Sequence, residues 1–300
     1  QEQGCGALSN LAYNSARKAS AIAAAGGIEA VVAAMRAHVG SAGVQEQACW
    51  ALLNFAYSSA NNKSAIAAAG GIEAVIAAMR AHAESAEVQE QACWALSNLA
   101  ANSAVNKSAI ATAGGAGAMV AAMRAHAGSA GVQAQACLAL RKLAANSANN
   151  KSAIAAAGGI EAVVAAMRAH AGSAEVQEQA CWALSNLAVN SADNAPAVTT
   201  ADWAAVVIAA MRAHAGSAGV QEKACLALRK LAANSANGRS AIAAAGGVGA
   251  VVAAVRAHVG SAEVQEQACG ALFNLVDGST DEEAVTRDGR PRRSRKQRDL

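Results

Sequence analysis

What this chain lacks narrows the field first. No apolar run long enough to span a bilayer escapes interruption by Gly, Arg or Glu, so nothing in it reads as a transmembrane helix and no membrane partner is expected. Charge of one sign is also missing. The formal net charge is +3 in 300 residues. From Ser279 to Leu300 there are seven Arg/Lys against five Asp/Glu, so about +1 remains for everything before that stretch. A near-neutral body of this kind gives no electrostatic case for nucleic acid. A unique catalytic constellation is absent as well. Serines, acids and histidines recur in equivalent settings, whereas an enzyme breaks its symmetry at one place. The expectation is a protein that is not an enzyme, with no cofactor and no small-molecule substrate.

What is present is a beat. Cys5, Cys49, Cys93, Cys137, Cys181, Cys225 and Cys269 fall at a strict 44-residue interval, and His38, His82, His126, His170, His214 and His258 keep the same step. Two rare residue types locked to one period mean that a single unit has been copied along the chain, and a period of this length belongs to helical solenoids. Each unit then buries its apolar face only against its neighbours, so one elongated array replaces the one to three domains that the length alone suggests. With Ser15 as a boundary, full units run 15–58, 59–102, 103–146, 147–190, 191–234 and 235–278. Residues 1–14 read as the last helix of a preceding unit and 279–300 as a disordered, charged tail low in apolar residues. The start at Gln1, mid-unit and without methionine, points to a fragment of a longer protein.

The unit 147–190 shows the local logic. Ser147 and Asn149 can cap a short helix that Gly158-Gly159 ends, since glycine enters the left-handed region cheaply. Ile160, Val163, Val164 and Met167 then mark one buried face of a second helix. Arg168 and His170 suit the negative pole at its end, and Gly172-Ser173 closes it. A third helix is expected from about Glu175 to Val189. Its stripe of Val176, Ala180, Leu184 and Leu187 faces the core, with Cys181 and Ala188 at the margin. Glu178, Trp182 and Asn186, at i, i+4 and i+8, lie opposite, with Gln179 beside them.

That opposite face is the candidate binding site. The pattern E-x-x-x-W-x-x-x-N recurs as Glu46/Trp50/Asn54, Glu90/Trp94/Asn98 and Glu178/Trp182/Asn186, and asparagine continues at Asn10 and Asn274 where Gly6 and Gly270 replace tryptophan. A carboxamide offers a donor and an acceptor that match an extended backbone. Tryptophans between carboxamides can hold aliphatic or cationic stems, with cation–π attraction worth about 0.5–2 kcal/mol. At about 10 Å per unit and about 3.3 Å per extended residue, each unit would take two or three ligand residues. The competing structural reading has Trp packed flat on the next third helix and Asn bridging helices.

The run AIAAAGGIEAVVAAM…VQEQACWALSNLA resembles the armadillo repeat, whose short first helix ends in Ala-Gly-Gly and whose third helix carries W-A-L-S-N-L-A. The resemblance covers residues 1–278. It implies an all-α, right-handed α-solenoid with three helices per repeat, a superhelix whose third helices line a concave groove. In the importin-α branch the W-x-x-x-N pair binds extended, lysine- and arginine-rich peptides, and Trp50/Asn54, Trp94/Asn98 and Trp182/Asn186 match that pair. The function it implies is a non-catalytic scaffold for a protein or peptide ligand in extended conformation. Nuclear import of basic cargo and a purely structural array are the alternatives. In units 103–146 and 191–234 the pair becomes Leu138/Lys142 and Leu226/Lys230, preceded by Arg141 and Arg229. Those lysines repel a continuous basic peptide and suit an acidic or phosphorylated one. The two units share the run CLALRKLAANSAN, so a two-unit block is the expected element of duplication.

Other features read as scaffold. The cysteines are expected to be buried fillers, too far apart between copies for disulfides, in a reducing compartment that makes the protein intracellular, cytoplasmic or nuclear. Histidines about 10 Å apart cannot share a metal, and no second ligand sits at metal spacing. Basic residues pair with acids in most units by sequence. Unit 191–234 breaks the pattern with Pro196 and with Asp202-Trp203 in place of the glycine break, read as drift in preference to a kink with an exposed Trp. In the tail, RPRRSRKQR is a basic cluster of nuclear-localisation or polyanion-binding type.

Overall fold

The computed structural model describes residues 1–57, 59–187 and 200–277, and among them all regular structure is helical. A third-type helix, α1 (Glu2–Ala12), opens the array. Triplets follow: α2 (Ala16–Ala24), α3 (Gly27–Ala37), α4 (Ala42–Ala56); α5 (Ala60–Ala68), α6 (Gly71–Ala81), α7 (Ala86–Ala100); α8 (Ala104–Thr112), α9 (Gly115–Ala125), α10 (Ala130–Ala144). Next come α11 (Ala148–Ala156), α12 (Gly159–Ala169) and α13 (Ala174–Leu187), then α14 (Thr200–Ala213) and α15 (Ala218–Asn234). The last triplet is α16 (Ala236–Ala244), α17 (Gly247–Ala257) and α18 (Ala262–Asp277). Third helices pack on one another in order from α1 to α18, second helices form a parallel layer, and the short first helices join the two. The protein is an all-α solenoid of three-helix repeats.

Local chemistry sets every break. Serine hydroxyls cap the helices: Ser147 Oγ accepts from the Asn150 N–H at 3.3 Å and Ser129 Oγ from the Val132 N–H at 3.3 Å. Asn149 does not cap; it is exposed, and the asparagine that matters is its neighbour Asn150, buried and donating to the Leu143 carbonyl. Gly158 sits at φ 78, a left-handed value that lets the chain turn between first and second helices, and α11 and α12 meet at 67°. The next residue, Gly159, must be glycine for another reason: a Cβ there would collide with Ile154 and its carbonyl. Trp203 stands at the corresponding place in its unit. There α14 runs unbroken through Asp202-Trp203 and has 14 residues against 11 in α12. Trp203 is half-buried, not exposed, and Pro196 lies outside the described residues.

Core positions follow the sequence pattern. Val163, Val164, Met167, Val176, Ala180, Leu184 and Leu187 are buried, whereas Ile160 is only partly so. Cys181 is fully buried, not marginal, and Ala188, Val189 and the tail from 278 fall outside the described residues. All seven cysteines are free, as expected, but Cys269 is exposed, because no further third helix covers α18 among the described residues. Burial pushes the thiols of Cys49 and Cys137 up to about 12, so they stay protonated and inert.

The polar residues of the repeat serve the helix ends. Gln133 Nε2 donates to Met123 O at 2.8 Å and to His126 O at 2.9 Å, and the same double bond recurs at Gln45, Gln89, Gln177, Gln221 and Gln265. His126 Nε2 lies 2.7 Å from the carbonyl of Ala83 in the preceding unit, so this nitrogen carries the proton. The contact repeats at His82, His170, His214 and His258, which makes the histidines inter-repeat bridges in addition to helix ends. Arg36, Arg80 and Arg212 donate across the next boundary to Ala69, Ala113 and Ala245 carbonyls; Lys63 and Lys107 donate to Ala101 and Ala145. These cations bind carbonyls where the sequence suggested carboxylates. Arg168 departs, pairing with Asp202 at 2.8 Å in the unit that lost its glycine turn, and Lys223 and Arg229 pair with Glu222 and Glu266. Replacing Gln133 with Met keeps the volume and strands two carbonyls, one buried and one half-buried; the expected cost is about 1–3 kcal/mol, read as a lower urea midpoint with unchanged helical circular dichroism.

Candidate functional site

The third helices present one repeated face because their core stripe repeats, and the residues four positions apart between stripes are left over. Trp50, Trp94 and Trp182 lie on this face, each half-buried, beside the half-buried carboxylates Glu46, Glu90 and Glu178. The expected triads are therefore brought together. What the sequence did not show is how far each triad is already engaged by the scaffold.

The asparagines are partly committed. Asn54 Nδ2 donates to Ser9 Oγ at 2.9 Å, Asn186 Nδ2 to Arg141 O at 3.1 Å and Asn274 Nδ2 to Arg229 O at 3.0 Å. Each bond reaches back to the preceding third helix, so the bridging role holds for these three, and Asn54 Nδ2 also donates to Ser9 O at 3.4 Å. Asn98 differs: it is buried, its Nδ2 has no partner, and its Oδ1 accepts from Lys142 Nζ at 3.4 Å. Asn10 is exposed on α1.

Trp182 is not an open platform. The Arg141 guanidinium lies 3.6 Å from its ring centroid and the Lys223 ammonium 4.0 Å. One cation comes from the preceding third helix and the other from the following one, so the aromatic face expected to receive a ligand's lysine is filled by the protein. At Trp50 and Trp94 the equivalent neighbours are Ser9 with Gln91 and Leu53 with Gln135, none of them charged. The sequence signal for this was the register: a residue 41 places on or back from each Trp is its inter-repeat neighbour.

Burial shapes the electrostatics. Desolvation, then Arg141 and Lys63, lowers Lys142 to about 8. Arg141 is lowered to about 10 by burial, opposed by Glu178, and its Nη1 has no partner. Lys230 is shifted the same way by burial, then by Lys151 and Arg229. At the other end of the helices, burial and then Glu87 and Glu2 push the Glu46 carboxyl up. The carboxylates of Glu2, Glu90 and Glu178 lean on the first turn of the next third helix, at Gly43, Gly131 and Gly219, where a Cβ would collide with them. That places negative charge at the positive helix pole. Where the next helix carries Glu175 instead of glycine, the preceding position is Ala134 in place of glutamate. Among the described residues no group of three His, Cys, Asp or Glu could hold a metal.

These features define an α-helical repeat solenoid with a face of half-buried aromatic, carboxamide and charged groups. Two family models match: the armadillo/β-catenin-like repeat at residues 15–57 and 59–101, and the LRRK2 ARM repeat at 155–286. Among solved structures, an engineered protein is 28% identical, with a TM-score of 0.73 over 84% of this chain and 97% of its own. A designed armadillo repeat protein in complex with the peptide (KR)4 is 19% identical and covers 83% of this chain and 99% of that one, with a TM-score of 0.69. A structure from work on a phosphorylation switch in the cadherin–β-catenin interaction is 20% identical, covering 93% of this chain and 51% of that one, TM-score 0.74. No curated protein matches the chain. The chain is an armadillo-repeat protein.

Two outcomes follow from this geometry. Trp182→Ala should lower the melting temperature more than Trp50→Ala, because only Trp182 holds two cations, a difference of about 0.5–2 kcal/mol. Lys142→Asn, which restores the residue found at Asn98 and Asn186, should stabilise the fold at pH 7 by on the order of 1 kcal/mol after solvent screening. The sign follows from linkage: the folded state holds the Lys142 proton less tightly than the unfolded chain. Its contribution to stability therefore rises with pH from about 8 toward the ordinary lysine value. Denaturation midpoints of the two proteins measured at pH 7 and pH 9.5 should converge at the higher pH.

Proposed function

We propose that this protein is a non-catalytic interaction scaffold that binds an extended peptide segment of a protein partner in a concave groove lined by the third helices. The observation that carries the reading is where hydrogen-bonding capacity goes unused. Of the buried side-chain atoms without a partner, five lie on consecutive third helices: Gln91 Oε1 and Asn98 Nδ2 on α7, Gln135 Oε1 and Arg141 Nη1 on α10, and Gln179 Oε1 on α13. Native proteins leave few such groups unmet, and those that remain call for an explanation. An extended main chain supplies both the N–H and the C=O that carboxamides take when they turn about their last torsion. Trp50 and Trp94 add aromatic surface between them. Glu46 and Glu90 set charge beside each ring, and Asn10, Asn54, Asn186 and Asn274 extend the carboxamide row.

The designed armadillo repeat protein solved with (KR)4 lends support to a peptide ligand on this kind of scaffold. Import of continuously basic cargo fits less well, because Lys142 and Lys230 stand in the row and Trp182 already holds two cations. A purely structural array gives no reason for unmet donors and acceptors to gather on one face.

The test is a display library of unstructured peptides panned against the wild type and against Trp94→Ala with Asn98→Ala. Binders to the wild type should lose at least about tenfold in affinity on the double variant, while helical circular dichroism is unchanged and melting falls only modestly, since Asn98 gives up one long bond, from Lys142 Nζ, and its Nδ2 has none to lose. A collapse in melting would instead assign both residues to packing between repeats.

A further inference from the structure

The charges on the third-helix layer change sign along its length. The first three of these helices carry Glu2, Glu46, Glu87 and Glu90 and no cation at all. From α10 to α15 cations outnumber acids: Arg141 and Lys142 on α10 and Lys223, Arg229 and Lys230 on α15 stand against Glu175 and Glu178 on α13 and Glu222 on α15, before α18 turns acidic again with Glu263, Glu266 and Asp277. The two Arg-Lys pairs stand where other units have Ser97-Asn98 or Ser185-Asn186, and Lys223 stands where they have Gln91, Gln135 or Gln179. Dipole compensation explains glutamate at the helix starts and cations at the ends. It does not explain why α10 and α15 carry the Arg-Lys pair and α4, α7 and α13 do not.

Like charges also crowd one another in both stretches, α1 to α7 and α10 to α15. Glu46 feels Glu87 and Glu2, and Glu90 feels Glu175 and Glu87. Lys142 feels Arg141 and Lys63, and Lys230 feels Lys151 and Arg229. Half-buried like charges cost folding energy, and opposite charge from a partner relieves that cost. Two buried donors, Asn98 Nδ2 at the end of α7 beside Lys142 and Arg141 Nη1 on α10, have no acceptor.

Resting on the peptide-binding reading above, we propose that the ligand is an extended peptide that itself changes sign along its length. A cationic stretch lies over α4 and α7, its stems on Trp50 and Trp94 and its charges toward Glu46, Glu87 and Glu90. An anionic stretch lies over α10 to α15, with one carboxylate or phosphate at Lys142 and a second at Lys230. These two lysines are two repeats apart, roughly 20 Å, which is about six extended residues. Between them Trp182, filled by Arg141 and Lys223, offers no seat for a ligand cation and adds to the positive field.

The experiment uses fluorescein-labelled peptides of equal length on the whole chain at fixed salt: all-Lys/Ala, all-Glu/Ala, and Lys-to-Glu block peptides in both chain directions. One block peptide is repeated with phosphoserine in place of two glutamates six residues apart. One of the block directions should bind at least about tenfold tighter than either single-sign peptide. Lys142→Asn with Lys230→Asn, the residue native to the other units, should abolish that advantage. Lys142→Glu with Lys230→Glu should move the preference to the all-Lys peptide. A further gain with phosphoserine assigns the seat to phosphate; equal binding assigns it to carboxylate, and either supports the proposal. A single-sign peptide binding as tightly as both block peptides, or block binding indifferent to the lysine variants, overturns the sign-change proposal and leaves the peptide groove standing. No binding by any of them, together with no binders from the display library, removes the groove reading as well.

Discussion

The backbone carbonyls at helix ends are the constraint on which this structure turns. A repeat made of helices of 9, 11 and 15 residues breaks its hydrogen-bond ladder three times. Each break leaves carbonyls without a partner in their own helix. The repeat answers with side chains. Gln89 serves the end of its own second helix, His126 the turn of the unit before, Arg80 the end of the next first helix and Lys63 the end of the next third helix. Asn106 turns back to Leu99 at the preceding third helix. Most of these bonds cross a repeat boundary, so polar satisfaction and stacking are one event. A unit without a neighbour would lose both at once, which is why stability in such arrays is a property of interfaces.

The same requirement explains why the binding face is unevenly available. Asparagines 54, 186 and 274 are drawn into bridges to the preceding third helix, whereas Asn98, with Lys142 beside it, holds a buried Nδ2 with no partner. Trp182 is clamped by cations from both sides, whereas the equivalents around Trp50 and Trp94 are neutral. Near-identical sequence motifs thus occupy different chemical states according to what the adjoining units carry. The alternation of Gly43, Glu87, Gly131, Glu175 and Gly219 acts in the same way. A glycine makes room for the carboxylate of the unit before, and a glutamate repels it.

Much of the scaffold was legible because it depends on nearest-neighbour rules. Helix starts at serine, the turn at Gly158, and the stripe Val176, Ala180, Leu184 and Leu187 follow from local backbone preference and helical period. The role of Gln133 was not legible, since an isolated glutamine on a helix looks solvent-facing until the second helix end is placed against it. Nor was the bridging by histidine, whose partner lies 43 residues away in sequence. Trp203 shows the limit from the other direction. Its substitution for glycine was visible, but the tight packing of Gly159 on Ile154 in the unit before, and the continuous α14 found at Trp203, were not.

By itself, then, the sequence determined the repeat, its three helices, its buried stripe and the list of residues left off that stripe. These are consequences of period and of local backbone energetics, which one unit contains in full. The tertiary structure alone decided which of those residues are spent on the scaffold and which remain for a ligand. That choice lies between units, where a side chain meets a carbonyl or a ring some 40 positions away. No pattern within a single repeat carries the geometry of that meeting.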